Sequence, residues 1–179
     1  MQEFDSYKGL FAEQGGFDLP SSLQIGAAYK ITPNNQLVFD WQKINYSEVN
    51  SIANPIDNLM SAPLGGDAGA GFGWDDMTIY KLGYQWQRTA KQKIRFGISY
   101  TEQPIPSSHV LLNILASGVQ EWHFTTGFSH SISNTVQLNA MAFYSPAKKV
   151  SGANYLAPNQ QISIEMEQSG LGVSVVWGI

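Results

Sequence analysis

The amino-acid sequence predicts an all-β fold, an antiparallel transmembrane β-barrel with about seven strands. Three observations support this prediction. Apolar and polar residues alternate with a period of two through most of the chain. Tight turns and long connections follow one another in strict alternation. Charged residues make up only 13% of the 179 residues, which is about half of the usual share in soluble domains.

The period-two alternation assigns the strands, because successive side chains of a strand point to opposite faces. In the third predicted strand, for example, Tyr80, Leu82 and Tyr84 alternate with Lys81 and Gly83. In the last strand the apolar residues change parity, and we expect a β-bulge near residues 168–170 to explain the change. The predicted strands span residues 21–31, 36–47, 75–87, 93–102, 120–131, 135–145 and 161–179.

The connections between these strands are of two kinds. Residues 32–35, 88–92 and 131–134 form short turns, whereas residues 48–74, 103–119 and 146–160 form long loops. Since alternate connections of an antiparallel meander lie at opposite ends, one rim carries the turns and the other carries the loops. Outer-membrane barrels are built in this way, with the long loops outside the cell.

The chain is therefore interpreted as one transmembrane segment, residues 1–179. Residues 1–20 form an extracellular loop and residues 21–179 form the seven-stranded meander. A single-chain bacterial barrel has an even number of strands, so we expect further strands outside this sequence. The alternative is that residues 4–11 add an eighth strand and close a small barrel whose interior is filled by side chains.

Composition excludes several other classes of protein. Cysteine is absent, which removes thiolate catalysis, cysteine-based zinc sites and disulfides. The net charge is −4 and no basic run occurs, so nucleic acid is not an expected partner. A soluble β-sandwich is disfavoured because the polar face has few charges, while aromatic residues lie on the apolar face near the strand ends, as in the girdles of membrane barrels: Tyr29, Trp41, Tyr84, Trp86, Tyr100, Trp122, Tyr144 and Trp177.

Five short segments of the chain resemble the FadL-type family, the long-chain fatty-acid and hydrocarbon transport porins of Gram-negative outer membranes. They are residues 11–15 (FAEQG), 17–20 (FDLP), 71–76 (GFGWDD), 103–108 (QPIPSS) and 113–116 (NILA). The likeness is to the C-terminal half of that family. It implies half of a fourteen-stranded barrel in the cell outer membrane, whose N-terminal half and lumen-plugging hatch lie outside this sequence.

Candidate catalytic and metal-binding groups are few. Ser107, Ser108 and His109 are neighbours in sequence rather than a triad, and we interpret them as loop residues. Glu121 and His123 share the polar face but lack a third ligand. The glycine-rich residues 65–73 lack the lysine of a phosphate-binding loop. We therefore expect no enzymatic activity, no metal and no cofactor.

Apolar side chains in the long loops are the strongest functional candidates. We predict that they line a groove for an acyl chain or another hydrophobic molecule, although they could instead pack only on each other. The polar face supplies two more apolar candidates and three cations for a carboxylate headgroup. The predicted groove residues are Leu10, Phe11, Leu59, Met60, Leu64, Phe72, Leu111, Leu112, Ile114 and Leu115; the lumen residues are Met141 and Phe143; the headgroup residues are Lys81, Lys93 and Arg95.

Two functions follow from these features. The first is passive transport of long-chain fatty acids or other hydrophobic compounds across the outer membrane. The expected partners are then the cargo, the outer-membrane lipids and the N-terminal half of the same barrel. The second is a non-transporting surface protein, such as an adhesin or a phage receptor. Apolar loops favour transport, since adhesive loops tend to be polar.

Overall fold

The computed structural model describes residues 9 to 178. One antiparallel sheet holds the seven strands of this range in chain order, so that each strand pairs with the next. The predicted seven-stranded antiparallel meander is confirmed. The strands are β1 (Ser22–Thr32), β2 (Asn35–Ile44), β3 (Met77–Thr89), β4 (Gln92–Thr101), β5 (Trp122–Ser131), β6 (Val136–Asn154) and β7 (Ala157–Trp177).

Helical structure in the described residues lies in the loops and in the segment before β1. Two one-turn helices, α1 (Asn50–Ala53) and α2 (Asn58–Ser61), lie between β2 and β3. Four 3₁₀ turns span Ala12–Gly15, Tyr46–Glu48, Ser107–His109 and Leu112–Ile114. In the described residues no helix is long and apolar enough to cross a membrane. Most of the alternative eighth strand, residues 4–8, lies outside the described residues, and Phe11 forms only an isolated bridge with Ala70.

The sheet has one apolar face and one polar face, as the alternation predicts. On the apolar face Trp41, Tyr80, Tyr100 and Trp122 are successive cross-strand partners and form one row of aromatic rings. Phe96, which lies nearer the turns on that face, is 53% exposed. Within residues 9 to 178 no second sheet covers either face, so these rings are not sealed in a sandwich core.

The two ends of the sheet differ in the length of their connections. Short turns join β1 to β2, β3 to β4 and β5 to β6 at one end, which we call the turn rim. The Gly178 N–H also lies there and donates to the Thr135 carbonyl. The opposite end, the loop rim, carries the connections of residues 45–76 and 102–121.

The prediction of a third long loop at residues 146–160 is wrong. Strands β6 and β7 continue through it as a hairpin that closes at Tyr155 and Leu156. The ladder pairs Lys148 with Met166 and Gly152 with Ile162. The part of this hairpin beyond the loop rim, residues 146–167, is called the tip hairpin. Its strands extend about 35 Å at the usual rise per residue.

The predicted bulge of β7 is also wrong in its position. The ladder pairs Ser145 with Gln168 and then Lys148 with Met166, so the extra residue lies in β6, opposite Glu167. The change of apolar parity in β7 therefore has another cause. Residues 171–177 place apolar side chains on the apolar face of the sheet. Ile164, beyond the loop rim, lies on the side of the polar face and is buried there against loop residues.

Adjacent threonines on β5 test the assignment of the two faces. Thr126 lies on the apolar face beside Phe96 and Ala142, and Thr125 lies on the polar face beside Gly97 and Phe143. We expect Thr126→Arg to lower the stability of the membrane-inserted barrel by about 2–4 kcal/mol, because it moves a charge into lipid. Equilibrium unfolding in lipid vesicles measures the change. Thr125→Arg is the matched control, and equal losses in both variants would contradict the assignment.

Candidate functional site

The loops of the loop rim pack together into one layer, which we call the loop cap: residues 9–20, 45–76 and 102–121. Its first apolar cluster buries Phe11, Ile56, Ala70, Phe72 and Leu112. The rings of Phe11 and Phe72 stack with centroids 4.9 Å apart. Segments far apart in sequence thus share one small core, which gives the cap a defined shape.

A second apolar cluster joins the loop cap to the tip hairpin. It contains Ile105, Val110 and Val119 from the β4–β5 loop, and Val150 and Ile164 from the hairpin. The Trp74 indole packs against both clusters. This burial explains why the hairpin continues beyond the sheet: its inner face is covered by apolar loop side chains, which stabilises it by removing apolar area from water.

Asn113 is the polar centre of the loop cap and is fully buried. Its Oδ1 accepts a 2.6 Å hydrogen bond from Trp74 Nε1. Its Nδ2 donates to the carbonyls of Phe72 and His109, both at 2.7 Å. One amide side chain therefore links the β2–β3 loop to the β4–β5 loop, and it satisfies groups that would be costly to bury unpaired.

Other asparagines hold the glycine-rich residues 65–73 against α1 and α2. Asn54 Nδ2 donates to the Gly69 carbonyl at 2.8 Å, and Asn58 Nδ2 donates to the Ala68 carbonyl at 2.9 Å. Gly71 permits this contact, since a Cβ there would lie 2.6 Å from the Asn50 carbonyl oxygen. The glycines therefore serve close backbone packing, in agreement with their interpretation as a loop.

Residues 9–20 join the same layer through backbone hydrogen bonds. Ala12 N–H donates to the Ala70 carbonyl at 2.7 Å, and Gln14 N–H donates to the Gly65 carbonyl at 3.0 Å. Near the sheet, Asp76 Oδ1 accepts a 3.0 Å bond from the Ser47 backbone N–H, and its carboxylate pairs with Lys43 at 3.5 Å. The Ser47 N–H is the main reason that the pKa of Asp76 is lowered.

The predicted groove residues fall into three groups in the loop cap. Phe11, Phe72 and Leu112 are buried in the first cluster. Leu10, Leu59 and Leu111 are half-buried around it. The remaining four present their apolar side chains on the surface of the cap: Met60, Leu64, Ile114 and Leu115 are 56% to 73% exposed.

The two predicted lumen residues lie next to each other on the polar face. Phe143 leans over Gly170, where a Cβ would come within 2.3 Å of its ring, and Met141 leans over Gly172. Beside them is a depression of about 670 Å³, lined largely by small or apolar residues of this face that include Gly83, Gly97, Thr125, Gly127, Met141 and Gly172.

The three predicted headgroup cations also lie on the polar face, at different heights. Lys81 Nζ donates to Gln42 Oε1 at 3.1 Å. Arg95 donates to Gln85 Oε1 at 3.1 Å and to Ser129 Oγ at 2.9 Å. Since Arg95 is paired with Gln85, four residues along β3 from Lys81, roughly 14 Å of strand separates the two cations. Lys93 is two residues further along, so the three do not form one site.

The remaining candidates do not assemble into a reactive site. Glu121 pairs with Lys148 of the tip hairpin at 2.8 Å, and His123 faces Ser99 across the ladder. Ser107 packs its carbonyl against Gly152, while His109 contacts Gly73. Across residues 9 to 178 no group of three metal-ligating side chains is close enough to hold an ion.

Comparison with solved structures agrees with this architecture. A TodX monoaromatic hydrocarbon channel mutant matches with a TM-score of 0.60 at 17% identity, over 92% of this chain and 36% of that chain. The toluene transporter TbuX of Ralstonia pickettii matches with a TM-score of 0.55 at 13% identity, over 90% and 34%. A Pseudomonas aeruginosa FadL homologue matches with a TM-score of 0.57 at 9% identity, over 87% and 34%. These likenesses show the fold.

The sequence comparison shows the family. No curated protein matches the chain in sequence, but the family described as outer membrane protein transport protein (OMPP1/FadL/TodX) matches residues 13–176. The chain belongs to this family. Its members are outer-membrane β-barrel proteins of Gram-negative bacteria, and the predicted resemblance and localisation are confirmed. The chain spans about a third of the length of the solved structures that it matches.

The sequence did not single out Asn113 as a structural centre. In the sequence Asn113 only interrupts the apolar run of residues 110–116. A lone amide inside such a run is the available signal, because a buried polar side chain requires partners. Which carbonyls and which indole supply them depends on a contact with residues 72–74, far away in sequence.

Replacing Asn113 tests whether the loop cap is held by this side chain. We expect Asn113→Ala to destabilise the closed cap by at least about 2 kcal/mol, because it leaves the Trp74 N–H and two carbonyls without their partner. Limited proteolysis of residues 45–76 in the membrane-inserted protein measures the opening. Asn134→Ala, in the short turn between β5 and β6, is the control. Cleavage of Asn113→Ala at the wild-type rate would show that the Asn113 side chain does not hold the loop cap closed.

Proposed function

We propose that this chain forms one wall of an outer-membrane channel for the passive uptake of hydrophobic small molecules, with long-chain fatty acids as cargo. The observation that carries the proposal is the combination of a lipid-compatible apolar face with loop residues that stay apolar although they are exposed, Met60, Leu64, Ile114 and Leu115. The family's description as transport proteins supports it. No catalytic step is part of this function.

The sheet requires further strands that pair with its two edges, because the outer edges of β1 and β7 carry unpaired backbone groups in this sheet. In lipid each unpaired group costs several kcal/mol. Both edge strands run from the loop rim to the turn rim, so antiparallel closure needs neighbours that run the other way on both sides. An odd number of added strands meets this condition if the first and the last of them run from the turn rim to the loop rim. A second copy in the same orientation does not, and we propose the N-terminal half of the same protein.

The direction of transport follows from the two rims. We place the loop rim outside the cell and the turn rim in the periplasm, as in other outer-membrane barrels. The cargo is captured by the exposed apolar side chains of the loop cap. It then passes along the polar face, where Met141 and Phe143 offer apolar contacts, and Lys81, Arg95 and Lys93 offer successive partners for a carboxylate.

A non-transporting surface protein remains the second candidate. The observation that favours it is the packing of Phe11, Phe72 and Leu112 on each other, because a loop core of this kind also suits a recognition surface. Transport is preferred because four of the predicted groove residues stay exposed on the cap. These four are not members of either apolar cluster of the described residues.

Two leucines test the capture step. Leu64 and Leu115 are 63% and 59% exposed, so the double variant Leu64→Asp/Leu115→Asp should leave the loop core intact. We expect the affinity for a fluorescent long-chain fatty acid to fall about tenfold or more, since each apolar contact with ligand contributes about 1–2 kcal/mol. Titration of the complete barrel in detergent gives the affinity.

Leu156→Asp is the matched control, because this leucine is 62% exposed at the end of the tip hairpin and outside the predicted groove. It should bind fatty acid as the wild type does. A parallel titration with a neutral monoaromatic hydrocarbon separates the cargo classes. Unchanged binding of both ligands in the double variant would contradict capture at the cap.

A further inference from the structure

His109 lies at the contact between the β2–β3 loop and the β4–β5 loop. Its ring packs on the backbone of Gly73, where a Cβ would come within 2.4 Å of the ring carbons. Gly73 has a φ of +70°, a conformation that glycine adopts without strain. The imidazole therefore occupies space that only a glycine leaves open.

The backbone around His109 is fully engaged, whereas its ring is not. The His109 carbonyl accepts from Asn113 Nδ2 at 2.7 Å, and its N–H donates to the Pro106 carbonyl at 3.0 Å. Its Nδ1, by contrast, is buried and has no hydrogen-bond partner among the described residues. A protonated ring would thus place an N–H donor and a positive charge where no acceptor faces it.

Charged groups around the ring come from the β2–β3 loop. Of the described residues, Asp57 and Asp75 are the two whose charges act on the imidazole. From the tip hairpin, Lys148 is paired with Glu121 instead. Burial lowers the pKa of His109, and this effect exceeds the opposing effects of Asp57 and Asp75. The closed cap therefore prefers the neutral ring.

The sign of the pH effect follows from this preference. In an opened cap the ring is in water and titrates near its ordinary pKa of about 6.5. Above that value both states hold a neutral ring, and the closed cap keeps its full stability. As the pH falls below it, the opened state takes up a proton before the closed state does, so the equilibrium shifts toward opening.

We infer that His109 and Gly73 form an acid-sensitive latch, in which protonation of the ring releases the β4–β5 loop from the β2–β3 loop and opens the loop cap. The placement of the latch over the channel mouth rests on the proposed function, but the opening itself does not. A readout of loop exposure therefore separates failure of the latch from failure of transport.

Single cysteines report the opening, because the chain has no cysteine of its own. Ala116 is half-buried against the first apolar cluster, and Ser61 at the end of α2 is exposed. We would label Ala116→Cys and Ser61→Cys with a membrane-impermeant maleimide on intact cells that express the complete protein. The ratio of the two rates cancels the pH dependence of the reagent. We expect this ratio to rise severalfold between about pH 8 and about pH 5.

Three background variants make the result specific. His109→Gln should give a ratio that does not change with pH, since glutamine does not titrate. The absolute value of that ratio does not matter for this test. His130→Gln, near the turn rim, should keep the wild-type response. Asp57→Asn should leave the pH at which the response begins unchanged and enlarge the rise at the acid end, because it removes a carboxylate that stabilises the protonated ring in the closed cap. A ratio that is constant with pH in the wild type, that still rises in His109→Gln, or that rises less in Asp57→Asn than in the wild type would overturn the latch.

Discussion

Backbone hydrogen bonding in a medium without water governs the architecture of this chain. A peptide group in lipid has no partner except another peptide group, and the seven strands of the described residues meet this condition by pairing in sequence with almost unbroken ladders. The same condition is unmet at the outer edges of β1 and β7. These edges run in the same direction, so the partner they require has an odd number of strands.

The second consequence of the membrane is that apolar residues face different sides of the sheet at different heights. Along β7, Leu171 and Val173 face outward, where lipid would lie, and are largely exposed in the isolated sheet. Beyond the loop rim Ile164 and Met166 face inward, onto Val110 and its neighbours. In β6 an extra residue opposite Glu167 achieves the corresponding change. Within the membrane the outward side of the sheet is shielded from water, whereas beyond the loop rim the inward side is shielded. The apolar residues of the sequence therefore change sides at the loop rim.

These facts explain what could be predicted from sequence. Strands β1 to β5 were predictable because alternation along one strand reports its environment directly, as at Tyr80, Lys81 and Leu82. Residues 146–160 were misassigned because Pro146, Gly152 and Pro158 are typical of loops, and because the apolar face of the tip hairpin is covered by loops that come from elsewhere. The burial of Phe11 and the exposure of Leu115 were equally hidden, since irregular loops have no periodicity that distinguishes inward from outward side chains.

The central claim is that the solvent on the two faces of β7 changes at the loop rim. A nitroxide scan of residues 162–176 in the membrane-inserted protein tests it most directly, with lipid-soluble oxygen and a water-soluble nickel complex as paired relaxation agents. Between residues 169 and 175 the odd positions should favour oxygen and the even positions nickel. Between residues 162 and 166 oxygen should favour neither parity, and the even positions should be shielded from both agents. A single oxygen-rich parity along the whole strand would contradict the account.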